Sequence, residues 1–354
     1  MPTRTAVSVY NEAESLQTLI TLLREVEGTR VTLIGDVMLD RYHHGYANNL
    51  NSTAPVPALR VIYSEESPGA AAHIARGLSS LGLTVDLHSS VGDDNEGKSI
   101  ISTLDGDGID TSGIIEVEGR NTLTKIRFYG SRENLLDQVQ ILLQADRGPL
   151  EDLDPSVSVS LTKSSLDSMS ESQALVISDY NKGVITEDGS EILISAAKKL
   201  GIPCIVDPKL TGLSRSRGAD IVIFGMRGLE LQNKRLMTSS LDEAARQLID
   251  TYDWGALLVL GGVNGVTLHS SDGSRVFFPC RADAPKQLIG LNDAAATALA
   301  AALGNGLDVV DAAALSAAAC DCILSAEASQ EFVDSATLQL WLEELSWKLR
   351  ISDR

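Results

Sequence analysis

The stretch QLIGLNDAAATALAAAL, residues 287–303, is typical of a turn that binds phosphate and leads into a helix. Gly290 can open the turn, Asp293 stands where a helix would begin, and an alanine-rich run follows. The N–H groups at a helix N-terminus have no partner within the helix, so they can bind an anion. Loops that hold phosphate on backbone N–H groups normally carry more glycine than this one. The stretch therefore indicates either a catalytic loop or the remnant of one.

Polar side chains also follow several apolar stretches directly, where predicted strands end. Such residues after a single strand are usually no more than turn residues. Their recurrence is harder to explain in this way, because ligands bind past the carboxyl ends of parallel strands. Carboxylates can accept hydrogen bonds from sugar hydroxyls and lysines can pair with phosphate, which suits a phosphorylated polyol. The clusters are Asp36 and Asp40 in LIGDVMLD, Asp93 and Asp94 in SVGDD, Asp179, Tyr180 and Lys182 in VISDYNKG, and Asp207 and Lys209 in IVDPK.

The elements that must position these residues alternate between strand and helix. This order predicts an α/β fold with a mainly parallel sheet covered on both faces. Buried strands are predicted over 30–36, 84–91, 174–178, 203–207, 220–224 and 256–260, with a hairpin over 265–278. Helices are predicted over 11–27, 69–82, 97–105, 186–200, 241–252, 293–303, 309–326 and 335–349. Residues 40–63 are expected to form an edge strand or flap, and the Ser- and Asp-rich segment 152–172 a variable surface excursion.

Composition excludes some classes of partner. The net charge is −19, and an acidic surface repels phosphate backbones and anionic lipids, so we expect neither nucleic acid nor membrane as a partner. The four cysteines form no CxxC pair and are expected to be buried free thiols. No apolar run reaches the ~18 residues of a membrane span, and the first residues lack the features of a signal peptide. These observations predict a cytoplasmic protein.

A series of motifs connects the chain with a known family. GDVMLDRY, APVP, SPGAAAHIA, TLTKIR, SDYNKG, VDPK and GLND, in this order, resemble the motifs of the ribokinase/PfkB carbohydrate kinases over roughly residues 30–326. Within that family the chain is most similar to the heptose 7-phosphate kinase, the kinase half of bifunctional ADP-heptose synthase. The resemblance implies a three-layer α/β/α domain with a small β-sheet lid that closes over the sugar and often dimerises. It also implies ATP as the phosphoryl donor and Mg²⁺ as its helper.

The resemblance further implies roles for individual residues. Asp293 matches the catalytic base, and Gly290, Leu291 and Asn292 match the anion hole. Gly261 and Gly265 match nucleotide-binding positions, while the metal ligands are left open, with Glu230 and Asp207 as candidates. The residues expected to bind the sugar phosphate or to structure its site are Asp36, Asp40, Gly69, His73, Lys125, Asp179, Lys182, Asp207 and Lys209.

Several positions depart from the family pattern, mainly on the nucleotide side. The family loop reads close to D-[TV]-T-G-A-G-D, whereas this chain has QLIGLND. The N-x-x-E motif, which helps to organise Mg²⁺, aligns with Gly225 and Gly228, and Glu230 comes two residues later. On the sugar side, Ala70 replaces a glycine and His73 replaces an asparagine. The alternatives are a kinase acting on a heptose 7-phosphate or similar sugar phosphate, and a pseudokinase that serves as a sugar-phosphate sensor or as a subunit of a larger complex.

The predicted organisation has three parts. Residues 1–28 form an N-terminal helical extension, residues 29–330 a ribokinase-like domain, and residues 331–354 a C-terminal helix packed on it. The lid is expected from about 40–63 and 119–146. Homodimerisation through the lid and binding to a partner protein are both compatible with this organisation.

Overall fold

The structure is a computed structural model that describes residues 11–131, 139–283, 285–286, 288–327 and 331–352. The described residues form thirteen strands: β1 (Arg30–Gly35), β2 (Val37–Leu50), β3 (Pro57–Ala70), β4 (Thr84–Gly92), β5 (Ile114–Val117), β6 (Thr124–Ser131), β7 (Gln140–Arg147), β8 (Ala174–Asp179), β9 (Cys204–Pro208), β10 (Ile221–Gly225), β11 (Ala256–Leu260), β12 (Val266–Ser270) and β13 (Arg275–Phe278). They also form ten α-helices: α1 (Glu12–Glu25), α2 (Ala71–Ser80), α3 (Asn95–Gly106), α4 (Pro155–Met169), α5 (Glu187–Leu200), α6 (Met226–Leu236), α7 (Leu241–Tyr252), α8 (Leu291–Gly304), α9 (Val309–Ser325) and α10 (Ser335–Ser352).

Nine strands form one large sheet in the order β13-β12-β11-β10-β9-β8-β1-β4-β5. The strands from β11 to β5 pair in parallel, whereas β12 and β13 add antiparallel at one edge as the predicted hairpin. Successive side chains of each strand enter opposite layers, as the two-residue period of a strand requires. On β10, for example, Ile221 and Ile223 join the core that includes α2, α8 and α9, and Val222 and Phe224 join the core that includes α4 to α7. The predicted three-layer α/β/α architecture is confirmed.

A second sheet of four strands, in the order β3-β2-β6-β7, forms the small lid beside the large sheet. Asp36 is the single residue between β1 and β2, so the chain passes directly from the carboxyl end of β1, inside the large sheet, into the lid. In the register of β2 and β6, Asp40 pairs with Lys125 and Tyr42 pairs with Arg127. Because alternate residues of a strand share a face, all four side chains lie on one face of the lid.

The structure differs from the predictions in several elements. Residues 152–172 are not a surface excursion, because α4 covers β1 and β4 and buries Leu161 and Met169. Helix α2 begins at Ala71, since Gly69 and Ala70 still belong to β3. Helix α6 and strand β5 were not predicted, and the predicted flap is a pair of long strands. No helix in the described part of the chain is long and apolar enough to cross a membrane.

Candidate functional site

The SDYNKG loop after β8 is held in place by Asp36. The Asp36 carboxylate accepts the N–H groups of Tyr180, Lys182 and Val184 at 2.9, 3.1 and 3.3 Å. Burial raises the pKa of Asp36 to about 6, although the three N–H donors favour its charged form. With both of its oxygens engaged in this way, Asp36 organises the loop.

Asp179 and Lys182, which were predicted as site residues, lie in the same loop but differ in burial. Asp179 is buried and accepts hydrogen bonds from Nε of Arg215 at 2.6 Å and from the N–H of Asn181 at 2.8 Å. The side chain of Lys182 is exposed, and its carbonyl accepts a hydrogen bond from Arg120 at 3.1 Å. Asp179 therefore fixes the loop from the inside, and Lys182 lies at its rim.

Tyr180 lies where the lid meets the ends of the large sheet. Nζ of Lys209, just after β9, is 3.6 Å from the centre of its ring, and Nζ of Lys125, on lid strand β6, is 5.3 Å away. Burial raises the pKa of Tyr180 well above its usual value, and the negative charges of Asp293, Asp207 and Asp40 raise it further. Two ammonium groups therefore lie against the ring of Tyr180, and three carboxylates act on its hydroxyl through their charge.

Asp40 is the lid carboxylate of this group. Its Oδ1 accepts a hydrogen bond from the Arg127 guanidinium at 2.5 Å, and both side chains are buried. A Cβ added to Gly69, near the end of β3 and opposite Met38 of β2, would lie 2.1 Å from Oδ2 of Asp40. Glycine at this position therefore leaves room for Oδ2 of Asp40. Burial raises the pKa of Asp40 against the opposing effect of Arg127.

Asp207 lies at the carboxyl end of β9, next to the start of α8. Its Oδ1 accepts a hydrogen bond from Nδ2 of Asn292 at 2.8 Å. Its Oδ2 is buried and has no hydrogen-bond partner among the described residues. Burial, assisted by the charge of Asp293, raises the pKa of Asp207 to about 6 against the opposing effect of Lys209. Asp207 thus brings a desolvated carboxylate to the helix start.

The first turn of α8, which contains Asp293, begins just after Gly290. Gly290 caps the helix with φ of 88°, a left-handed conformation that suits glycine. The carbonyl of Gly290 accepts the N–H of Ala294, so the preceding N–H groups lie ahead of the first helical hydrogen bond. The Leu291 side chain packs into the core instead of filling the pocket. Oδ2 of Asp293 lies 3.0 Å from Nδ1 of His73, and both residues are buried.

The positions that the motif resemblance assigns to nucleotide and metal binding lie mainly in glycine turns. Gly261 and Gly265 flank a short 3-10 turn after β11, in which the Gly261 N–H bonds to the Gly265 carbonyl at 2.8 Å. Gly225 is the N-cap of α6 and Gly228 lies in its first turn, while Glu230 is exposed on the same helix. Among the described residues, no group of three or more His, Cys, Asp or Glu side chains could hold a metal ion.

The structure thus brings together most of the predicted site residues, which come from six separate segments of the chain. Lys125 of the lid and Lys209 after β9 contact the ring of Tyr180. Asp40 pairs with Arg127, Asp207 with Asn292 and Asp293 with His73. Asp36 and Asp179 hold the SDYNKG loop. The sequence analysis listed Tyr180 among the polar residues that follow strands but gave it no role in the site, and it did not select Arg127. Tyr180 follows a strand end within SDYNKG, and Arg127 shares the lid face of Lys125, so both signals were present in the motifs.

Comparison with known proteins places this geometry in a family. The sequence profile described as "pfkB family carbohydrate kinase" matches residues 29–336. The chain is 33% identical over 287 residues to the "Bifunctional protein HldE" of Halorhodospira halophila, covering 81% of this chain and 58% of that protein. It is 32% identical over 290 residues to the protein of the same name from Shewanella denitrificans, covering 82% of this chain and 58% of that protein. The chain therefore spans less than two thirds of the length of these relatives.

Solved structures show the same fold at low sequence identity. Escherichia coli phosphofructokinase-2 in complex with fructose-6-phosphate superposes with a TM-score of 0.70 at 19% identity, covering 90% of this chain and 99% of that one. Arabidopsis thaliana ribokinase complexed with ribose and ATP gives 0.67 at 16% identity, covering 89% and 99%. Since the family profile extends over most of its length and the relatives are about one third identical, this chain belongs to the pfkB family of carbohydrate kinases.

Proposed function

We propose that this protein transfers a phosphoryl group from ATP to a hydroxyl of a sugar phosphate, namely a heptose 7-phosphate or a similar compound. The observation that carries the proposal is the position of Asp293, a buried carboxylate in the first turn of α8 whose charge raises the pKa of Asp40 in the lid. A base beside an anion-binding helix start, opposite groups that bind phosphate, is the arrangement that phosphoryl transfer to a hydroxyl needs. The choice of heptose comes from the motif resemblance.

In this reaction Asp293 takes the proton of the acceptor hydroxyl. The hydroxyl oxygen forms a bond to the γ-phosphorus of ATP as the bond from that phosphorus to the β-phosphate oxygen breaks, and ADP leaves. The N–H groups of Leu291, Asn292 and Asp293 stabilise the charge on the transferring group, because they belong to the free N-terminus of α8. Catalysis then consists mostly of positioning and electrostatic stabilisation.

Lys125, Arg127 and Lys209 form the positive side of the site and would bind the phosphate of the acceptor. Lys125 belongs to the lid and Lys209 follows a strand of the large sheet, yet both contact the ring of Tyr180. A phosphate bound between them would draw the lid towards the sheet and exclude water from the reacting groups. Asp40, whose Oδ1 is occupied by Arg127, would use Oδ2 to accept a sugar hydroxyl.

Mg²⁺ and ATP are part of the proposal. Kinase Mg²⁺ is usually held by one or two carboxylates together with phosphate oxygens and water, so a protein site with few ligands is sufficient. Asp207 fits this role, because its buried Oδ2 lacks a hydrogen-bond partner in the residues that the structure describes. Bound there, Mg²⁺ would neutralise charge on the phosphates.

The proposal is tested by following ADP release from Mg·ATP with a heptose 7-phosphate and with the same heptose without its phosphate. We expect turnover that needs the phosphorylated sugar and that falls by about 10³-fold in Asp293→Asn, with sugar affinity retained. Asparagine has the shape of aspartate, so the variant removes the base without opening a cavity. ADP release that is independent of sugar, or that is equal in the variant, would refute the proposal.

A catalytically impaired pseudokinase is the second candidate, and one observation favours it. The two positions of the family's N-x-x-E motif are glycines, and nothing lies within 4 Å of the Cβ position at Gly225. A protein of this kind would bind the sugar phosphate through the cations of the lid as a sensor, or would serve as a subunit of a complex. Calorimetric titration that shows sugar-phosphate binding without any Mg·ATP binding would support it.

The lid also suggests a homodimer, which we include in the proposal together with a cytoplasmic location. Apolar side chains on strands β3 and β7 are solvent-exposed, among them Tyr63 at 52% and Leu143 at 58%. Exposed apolar patches of this kind commonly mark protein–protein contacts. Sedimentation analysis of the wild type and of a Tyr63→Ser/Leu143→Ser variant tests this point, with a dimer expected for the first and a monomer for the second.

A further inference from the structure

We propose that His73 is a positioning residue that donates its Nδ1–H to Oδ2 of Asp293 and so leaves Oδ1 free to take the proton of the acceptor hydroxyl. This inference rests on the proposed kinase function and assigns His73 to the support of the base instead of to contact with the sugar. It concerns a residue at which this chain departs from the asparagine of the family pattern.

The contact between the two side chains has one donor and one acceptor. Nδ1 of His73 and Oδ2 of Asp293 are 3.0 Å apart, and the side chains are only 7% and 12% exposed. An ionised carboxylate can only accept hydrogen bonds, so Nδ1 must carry the proton. The contact therefore fixes the tautomer of the imidazole and the orientation of the carboxylate at once.

The imidazole ring is held from several sides. It projects from the first turn of α2, and Phe332 meets it edge-on, with 6.2 Å between ring centres and an angle of 84°. The guanidinium of Arg76 lies 4.5 Å from the centre of the Phe332 ring and covers its outer face. A Cβ at Gly290 would come within 3.1 Å of Cε1 of His73, so the glycine of the anion hole also leaves room for the ring. The ring is thus packed in place before any substrate binds.

The remaining oxygen of the base has a different environment. Oδ1 of Asp293 is buried without a hydrogen-bond partner among the residues that the structure describes. An unpaired buried carboxylate oxygen is unfavourable unless a ligand supplies a donor. In the proposed reaction, the acceptor hydroxyl donates to Oδ1, its proton passes to Oδ1, and the oxygen attacks the γ-phosphorus as ADP leaves. His73 keeps its proton throughout, because Oδ2 remains an acceptor in both states of Asp293.

Two substitutions separate this role from simple packing. Asparagine can place its Nδ2 near the position of Nδ1, so His73→Asn keeps a donor, whereas His73→Leu fills similar space without one. We expect His73→Leu to lower kcat by about 100-fold with KM for the sugar phosphate nearly unchanged, because a misplaced base costs rate and not binding. We expect His73→Asn to keep kcat within a few fold of the wild type. A change of KM alone, or equal kcat in both variants, would overturn the proposal.

A second measurement tests the contact without relying on activity. The ¹⁵N chemical shifts of the imidazole nitrogens distinguish the two neutral tautomers, and the signals of His73 among the five histidines are those that disappear in His73→Asn. We expect the Nδ1–H form in the wild type and a shift of this signal in Asp293→Ala. A wild-type His73 in the Nε2–H form, or one that is insensitive to Asp293→Ala, would refute the hydrogen bond. If the wild type fails to turn over while the tautomer is as expected, the proposed function is wrong and the contact stands.

Discussion

Restoring the N-x-x-E motif of the family tests directly whether the loss of this motif limits phosphoryl transfer in this site. The double substitution Gly225→Asn/Gly228→Glu places the two missing side chains on the first turn of α6. Gly225 is the N-cap, with φ −73° and ψ 149°, a conformation open to any residue, and Gly228 is the third helical residue. The spacing is that of a capping box, so the new side chains suit the local backbone.

The structure allows the size of the effect on stability to be estimated. Nothing lies within 4 Å of a Cβ at Gly225, and a Cβ at Gly228 would meet only the side chains of Leu210 and Phe224, at 3.5–3.9 Å. Replacing a glycine within a helix raises the free energy of unfolding by up to about 0.8–1 kcal/mol. Replacing a glycine by asparagine at an N-cap raises it by a few tenths of a kcal/mol. We expect the free energy of unfolding to rise by about 1 kcal/mol.

The effect on catalysis should be larger than the effect on stability. A group that stabilises transition-state charge is worth about 2–4 kcal/mol, so its return should raise turnover by roughly 30- to 1000-fold. The assay is ADP release with saturating sugar phosphate, accompanied by urea unfolding of the same preparations. Gly225→Asn/Gly228→Gln is the matched control, because glutamine has the shape and helix propensity of glutamate without its charge.

Comparison of the two variants decides the question. If both are stabilised alike and the glutamate variant turns over no faster than the glutamine variant, the lost motif does not limit the reaction. That result would refute the reasoning that this site is weakened by the loss of a carboxylate at position 228. A fall in stability in both variants would show instead that the side chains do not fit the start of α6.

Three further predictions concern the fold that supports the site. Ala70 has φ 55° and ψ −127°, a conformation that only glycine adopts without strain, so Ala70→Gly should raise the free energy of unfolding by about 1 kcal/mol in urea titration; a fall would contradict this. Arg127→Leu leaves Asp40 buried without its partner and should lower the free energy of unfolding by about 3 kcal/mol. Adding Asp40→Asn to this variant should restore a large part of the loss. No recovery in the double variant would contradict the pairing. Burial raises the folded-state pKa of Asp36 to about 6, above an unfolded value of about 3.9. The folded state therefore binds this proton more tightly than the unfolded state. As pH rises through this window, the contribution of Asp36 to the free energy of unfolding falls. The contribution should fall by about 1.4 kcal/mol between pH 5 and pH 7.5, and the stability of Asp36→Asn should be less pH-dependent by this amount when both proteins are unfolded in urea; an equal dependence would contradict the assignment.

The large sheet could be predicted because each of its strands carries its own signal. Strand β11 is five apolar residues, all buried, and β8 and β10 have the same character. Such runs indicate a parallel sheet covered on both faces, independently of the sequence of the rest of the chain. The ends of these strands could then be placed at one edge, which is why the acidic and basic residues that follow them were expected to meet.

Helix α4 shows where this reasoning fails. Its buried face contains Ser158, Thr162 and Ser165, and the hydroxyls of Thr162 and Ser165 donate to carbonyls one turn earlier at 2.9 and 2.8 Å. Internal hydrogen bonds of this kind allow small polar residues to be buried without an external partner. The segment therefore has the composition of a loop and the packing of a core helix, and its weak hydrophobic period could not reveal which.

The assignment of roles within the site depends on tertiary contacts that no local pattern contains. Asp36 and Asp40 are four residues apart in one motif, yet Asp36 binds three backbone N–H groups while Asp40 pairs with Arg127 across the lid. The partner of Asp293 is a histidine 220 residues earlier in the chain. The position of a carboxylate after a strand places it at the edge of the sheet where ligands bind. Its hydrogen-bond partners decide whether it holds a loop, binds a sugar or takes a proton. This is why a degenerate motif does not by itself mean a lost activity: the altered loop keeps Asp293, whose Oδ2 has a hydrogen-bond partner in His73, a residue outside that loop, and whose buried Oδ1 is unpaired among the described residues.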